Sequence, residues 1–325
     1  MDGAAAAVSA AQPYDESLDA VTIDIMMPFY GDPQLFREAV RSVQDQTSAD
    51  WRLVVIDDVY PDPEPGRWVQ SLGDDRIVYI RNETNLGVSG NFSKSVDLVE
   101  SDHFVLMGCD DLLEPDYLAV MADAIARHPG ASYFQPGVIV ISDDGTPSLP
   151  LADRVKTWYR PDATAEFSLT GEAMAVSLLR GNWAYFPSIC WRTESVRRHG
   201  FDAAFDVVLD LKLQLDITLD DGMIVALPDR VFRYRRHAGS VSSWTAQDGT
   251  RFDEERAFFL DVSRRLAARG WRRASQAASR HWSSRLNAAT KIPGALAKRD
   301  GAGLRALLRH VFTGWRPKPR SSNLV

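Results

Sequence analysis

Four aspartates stand where carboxylates can do chemistry. Asp110 and Asp111 follow an almost wholly apolar run, His103, Phe104, Val105, Leu106 and Met107, with the small Gly108 just before them. Carboxylate oxygens are hard ligands suited to Mg²⁺ or Mn²⁺, which take one or two protein carboxylates together with substrate phosphate oxygens. An ion held there would bridge a diphosphate and neutralise charge on the leaving group. The same pair also reads as the cap of the turn and helix that begin near Pro115. Asp57 and Asp58 close a second apolar run, Val54, Val55 and Ile56. A carboxylate at such a place accepts hydrogen bonds from a nucleobase or ribose, or simply opens the turn into the proline-rich stretch 61–65.

The elements that carry these groups alternate. From residue 22 onward, short β-rich runs alternate with amphipathic helical stretches, the pattern of a mainly parallel sheet covered by helices. Strands are expected at 21–28, 52–56, 77–80, 103–107, 131–141, 188–191 and 231–235. Helices are expected at 34–44, 89–99, 115–127, 171–179 and 207–219, with a polar, proline-bearing excursion at 142–167. Ligands of open α/β sheets bind beyond the carboxyl ends of strands. Three such ends carry unusual groups: Pro28-Phe29-Tyr30, Asp57-Asp58 and Asp110-Asp111. The stretch from Asn85 to Lys94 contains Gly87, Ser89, Gly90 and Asn91, which lets backbone approach a nucleotide or serves as an ordinary loop and cap.

At 325 residues, 45% hydrophobic and 25% charged, the chain has the composition of a globular protein with one large core or two smaller ones. Cys109 and Cys190 are single and far apart, giving neither a disulfide framework nor a thiolate metal site, so a reducing cytoplasm is the expected setting. Residues 1–20 read as a flexible tail, without the basic start and apolar segment of a signal peptide. No run of about 18 apolar residues predicts a membrane-spanning helix. The net charge of −7 is uneven: residues 251–325 hold 17 Lys and Arg against 5 Asp and Glu, leaving 20 against 39 in the rest. A basic helical tail of that kind either lies on an anionic lipid surface at the inner face of the membrane or packs on the acidic body of the chain. Nucleic-acid binding is not expected, because the groove residues are acidic and no nucleic-acid module is present.

The ordered series IMMPFYGDPQLFREAVRSVQDQT, WRLVVIDD, NLGVSGNFSKS and FVLMGCDDLLEPDYL resembles the family 2 glycosyltransferases. The likeness continues through SICWRTESVRRHGFDAAFDVVLDLKLQLDI and FRYRRHAGSVSSW, covering roughly residues 21–244. It implies a GT-A fold, Rossmann-like and α/β: a catalytic domain at 21–248, with a nucleotide half at 21–112 and an acceptor half at 113–248, followed by a basic helical region at 249–325. It implies Pro28 and Tyr30, with Phe29 between them, in the nucleotide pocket, and Asp58 on the base. It makes Asp111 the direct metal ligand and Asp110 the partner of the sugar or ribose. Asp210 falls at the general base, the carboxylate that single, inverting displacement requires to take the acceptor proton. A first-turn acid offsetting the helix dipole is the other reading of Asp210, and Asp206 competes for either role.

His237, within Arg235-Arg236-His237, stands where related enzymes contact metal or diphosphate. Asn182, Trp183 and Tyr185 are candidates for an acceptor wall, since aromatic faces pack on sugar C–H surfaces; Trp183 fits the core equally. The partners implied are a UDP-, dTDP- or GDP-linked sugar and a glycan, lipid-linked or small hydroxyl acceptor. The chain departs from the pattern at Leu209, where an acid usually precedes the base, and at Val59 and Tyr60. It has no QxxRW-type element, which argues against a processive synthase. The competing readings are a non-catalytic nucleotide-sugar or glycan-binding protein and a sugar nucleotidyltransferase; the latter lacks the glycine-rich basic loop that would follow the first strand.

Overall fold

Strands β1 (Ile23–Phe29) and β2 (Trp51–Asp57) bury nearly every side chain, as parallel strands do when helices cover both faces of their sheet. The computed structural model describes residues 21–202, 205, 207–236, 250–297 and 300–312. In it β1, β2, β3 (Ile77–Arg81) and β4 (His103–Leu106) run parallel. The sheet continues past β4 through β8 (Cys190–Arg192), β6 (Tyr133–Ile141) and β9 (Met223–Arg235). Two short strands share the outer edge of β9: β7 (Phe167–Thr170) pairs its first part and β5 (Leu112–Leu113) its last. This is a mixed sheet of nine strands, parallel in its first half and turned antiparallel at β8.

The side-chain period of two divides each strand between two cores. Ile25, Met27 and Val55 face α1 (Pro33–Gln44), α2 (Glu64–Ser71) and α4 (Tyr117–Arg127). Met26, Ile56 and Phe104 face α3 (Gly87–Asp97), α6 (Gly171–Arg180), α7 (Thr193–His199) and α8 (Leu209–Leu219). Asp32 starts α1 by accepting the N–H groups of Gln34 and Leu35 at 2.7 and 3.1 Å.

The C-terminal region is helical: α9 (Thr250–Ala268), α10 (Arg272–Arg280), α11 (Trp282–Ala297) and α12 (Gly301–Phe312). Phe258, Val262 and Leu266 of α9 and Ala274 and Ala278 of α10 belong to the same core as Met174 and Leu178 of α6. Arginines of this region are engaged with the body: Arg265 pairs with Asp216 at 2.6 Å, and Glu172 accepts the N–H of Arg273 at 2.7 Å. Pairing with acids of residues 21–236 is therefore what part of this basic surface does, Arg265 with Asp216 and Arg269 with Asp221. Among the described residues no helix is long and apolar enough to cross a membrane.

Two elements differ from the sequence-based expectation in ways that matter to the site. The excursion at 142–167 contains α5 (Leu151–Tyr159), anchored by the fully buried Asp153. The last strand begins eight residues earlier than expected, at Met223, because it runs through a bulge. The register with β6 shifts at Gly137, where a Cβ would lie 2.8 Å from the Pro228 carbonyl oxygen. Pro228 and the exposed Asp229 and Arg230 of that bulge read as a loop.

Candidate active site

The turn after β4 brings two carboxylates onto one spot. A Cβ on Gly108 would stand 2.6 Å from Asp111 Oδ2 and 2.8 Å from Asp110 Oδ1, so only glycine leaves room for both. Asp111 is buried, and its Oδ1 accepts the backbone N–H of Arg235, the last residue of β9, at 2.8 Å. Arg235, also buried, donates Nε–H to the carbonyl of Asp110 at 2.8 Å and pairs with Glu38 of α1 at 2.9 Å. Burial first, and then the charge of Asp110, push the Asp111 carboxyl well above its ordinary range; the Arg235 N–H acts in the other direction. A buried carboxylate whose charge is disfavoured, with a second carboxylate beside it, is a suitable donor set for a hard divalent cation, whose charge would favour the ionised form of Asp111. Among the described residues no three His, Cys, Asp or Glu side chains form a complete cage, so such an ion would take its remaining ligands from substrate or water. Gly108→Ala is expected to cost about 1–3 kcal/mol by overpacking and to lower the melting temperature. An unchanged melting curve would show that the pair does not need this space.

The turn after β2 is built around Asp58. Its Oδ1 accepts Asn82 Nδ2–H and the Leu86 N–H at 2.8 and 2.7 Å, and its Oδ2 accepts the Gly87 N–H at 2.9 Å. A carboxylate at the start of α3 satisfies N–H groups that the helix cannot pair itself. Asn85 donates to the Asp58 carbonyl at 2.9 Å, and Lys94 Nζ reaches Asn82 Oδ1 at 2.7 Å. Asp58, Asn85 and Lys94 are thus brought together, and the observed role of Asp58 is to hold the loop 82–87 rather than to present an open carboxylate. Tyr30 is exposed and meets Tyr60 edge-on at 5.6 Å, forming an aromatic corner at the tips of β1 and β2 with the half-buried Pro28 behind it. Phe29 corrects the expectation. It is fully buried and stacks on Phe36 at 4.2 Å, because strand alternation turns it away from the side that Tyr30 faces. Val59, in the same turn, adopts φ 62°, a conformation costly for a β-branched residue.

Across the sheet a cavity of about 610 Å³ gathers Asp210, Asn182 and Tyr185. Asp210 lies in the first turn of α8. Its Oδ2 accepts Asn182 Nδ2–H at 2.9 Å and its Oδ1 the Leu211 N–H at 2.7 Å. Burial raises the proton affinity of this carboxyl, opposed in order by Lys156, the Leu211 N–H and Asn182. Lys156 of α5 lines the same cavity, donates to the Ala184 carbonyl at 3.0 Å and sits 4.1 Å from the Tyr185 ring centre. Burial, then Arg236, bring its pKa down to about 8. Arg236 grips the buried Asp153 through Nε (3.1 Å) and a terminal nitrogen (3.0 Å), and the Tyr185 hydroxyl donates to that same carboxylate at 3.0 Å. Trp183 belongs to the core: it is 2% exposed, its indole N–H bonds Ser177 Oγ at 3.0 Å, and its free edge reaches a neighbouring cavity.

The two centres meet at the end of β9. Asp111 is bonded to Arg235, and the next residue, Arg236, lines the cavity of Asp210. His237 and Asp206 lie outside the described residues. Lys156, Asp153 and Arg236 were not singled out from the sequence; an isolated lysine in a polar stretch carries no signal of its depth. Nor was Glu254 of α9, which accepts the N–H groups of Val207 and Val208 at 2.8 and 3.3 Å and so fixes the entry to α8.

The nine-stranded mixed sheet, with acid pairs at the ends of two of its parallel strands, has the GT-A fold. Residues 24–179, just under half of the chain, match the family model described as Glycosyl transferase family 2, a span that lies within the resemblance read from the sequence. The crystal structure of S. aureus TarS 1-349 in complex with UDP-GlcNAc superimposes with a TM-score of 0.67 at 15% identity, covering 89% of this chain and 81% of that one. An uncharacterized protein of Sinorhizobium fredii, y4gI, is 27% identical over 68% of this chain and 23% of its own length. The putative colanic acid biosynthesis glycosyl transferase WcaA of Escherichia coli is 30% identical over 30% of this chain and 36% of its own length. The chain therefore spans about a quarter to a third of the length of these curated relatives.

Proposed function

We propose that this chain is a metal-dependent, inverting glycosyltransferase that moves a sugar from a nucleotide-sugar donor to a hydroxyl of a cell-surface glycan or its lipid-linked precursor. The observation that carries this reading is Asp210. It is a carboxylate of raised proton affinity, oriented by Asn182 and Leu211, in a cavity whose rim is the strand end that also holds Asp111. The UDP-GlcNAc in the TarS structure and the colanic acid assignment of WcaA support a nucleotide-sugar donor and a surface glycan.

In this reading Tyr30 and Pro28 bound the nucleotide, and Asp58 keeps the loop around Asn85 in place beside it. Asp111 and Asp110 would hold Mg²⁺ or Mn²⁺, which when bound supplies charge neutralisation on the diphosphate. Asp210, ionised, accepts the proton of the acceptor hydroxyl as its oxygen bonds the anomeric carbon and the bond to the diphosphate breaks on the opposite face. Asn182 keeps one Asp210 oxygen engaged so that the carboxylate does not turn away. Tyr185 forms part of the acceptor wall.

A thermal-shift screen of UDP, dTDP and GDP, with Mn²⁺ or with EDTA, tests this directly. A ligand at a hundred times its Kd stabilises the folded state by about 2.7 kcal/mol, so one diphosphate with Mn²⁺ should raise the melting temperature by several degrees and EDTA should abolish the shift. Pyrophosphate release from a nucleoside triphosphate would instead indicate a nucleotidyltransferase. Absence of any shift would overturn the donor assignment.

A further inference from the structure

The cavity of Asp210 has a second wall that the reading above leaves unused. Helix α11 lines it with Ser283, Asn287 and Lys291. Their spacing of i, i+4 and i+8 places all three along one face of that helix. The helix is held from another side, where Ala288 is buried with Phe252 and Leu307, so the polar stripe is free to face the space in front of Asp210. Lys156 and Arg236 line the same cavity, as does Glu255 of α9, which accepts the hydroxyl of Ser284. A cavity of about 610 Å³ is the size that small-molecule sites occupy. Hydroxyl, amide and cationic groups are the set that hydrogen-bonds a polyhydroxyl chain and neutralises an anion.

The cations differ in what already holds them. Arg236 is engaged by Asp153, and Lys156 donates to the Ala184 carbonyl. Lys291 is exposed and makes no ion pair among the described residues. We propose that the α11 stripe is the recognition strip for the acceptor, and that the acceptor is a hydroxyl-bearing glycan segment carrying an anionic group, phosphate or carboxylate. Lys291 receives the anion, Ser283 and Asn287 bond neighbouring hydroxyls, and the reacting hydroxyl lies against Asp210. This rests on the glycosyltransferase reading and names the substrate class of its acceptor side. It also gives the C-terminal region a direct part in acceptor choice.

The test is calorimetric titration of the full chain, with and without UDP and Mn²⁺, using methyl glucoside, its 6-phosphate and the corresponding methyl glucuronoside. At least one anionic probe should bind about tenfold more tightly than the neutral one, the scale of a hydrogen bond to a charged group. Lys291→Ala should remove that preference and Lys291→Arg should restore it. Preference for the 6-phosphate identifies a phosphate-bearing acceptor, and preference for the glucuronoside a carboxylate-bearing one. Equal binding of all three probes, or a preference that survives Lys291→Ala, overturns the proposal. Lys291→Ala is also expected to keep the melting shift with UDP and Mn²⁺. Loss of that shift in the wild-type chain would count against the donor reading alone, because the probe titrations without UDP stand independently of it.

Discussion

Asp210→Asn is expected to reduce turnover by about 10²- to 10⁴-fold, the usual contribution of a positioned general base, while binding of UDP with Mn²⁺ stays within twofold. The amide preserves the volume and its one oxygen can accept the Asn182 N–H, but it gives up the acceptor for the Leu211 N–H and cannot take a proton. The pH dependence follows from the raised proton affinity of this carboxyl. Only ionised Asp210 accepts the acceptor proton, so wild-type turnover falls as pH drops through the raised pKa, with its acid limb above the ordinary carboxylate range of about 4. The stability sign is opposite. A carboxyl whose folded pKa exceeds its unfolded one contributes stability below the unfolded value, and that contribution is lost as pH rises through the folded value. Asp210→Asn cannot ionise, so its melting temperature should lose the part of the pH dependence that Asp210 supplies, while it turns over far more slowly. A variant that transfers sugar at the wild-type rate would remove Asp210 from the mechanism.

The second large effect is at Asp111. Asp111→Asn keeps an oxygen to accept the Arg235 N–H, so the strand end is preserved, but it removes one of the two charges that converge above Gly108. Metal-assisted charge stabilisation of roughly 3 kcal/mol corresponds to about a hundredfold in kcat/KM. The variant should lose that factor together with the Mn²⁺-dependent part of the UDP melting shift. Because burial and Asp110 already disfavour the Asp111 charge, the amide should fold at least as stably as the wild type at neutral pH. Retention of the full Mn²⁺-dependent shift would locate the cation elsewhere.

Strand-end chemistry was legible because it is local. An apolar run ending in two acids is a strand tip whichever way the sheet is assembled, and β2 and β4 are buried as their residues require. Asn182 and Tyr185 were recognisable as neighbours of a strand; Asn182 bonds Asp210 and Tyr185 lines the same cavity. Phe29 and Trp183 were harder: aromatic residues suit a sugar wall and a core equally, and alternation along the chain decides which side each faces. The helix at 151–159 was hidden because its buried acid, Asp153, looks like any polar residue until Arg236 and Tyr185 close around it.

By itself the sequence determined the α/β alternation, the pairs Asp57-Asp58 and Asp110-Asp111, and the placing of Asp210 in the first turn of a helix, since each is written in neighbouring residues. Tertiary structure alone decided that Asp58 braces a loop, that Lys156 and Arg236 line the cavity of Asp210, and that a helix some 80 residues further on supplies a wall of the same cavity. Those facts depend on which distant segments the sheet order brings together, and burial and charge pairing across such distances leave no local period to read.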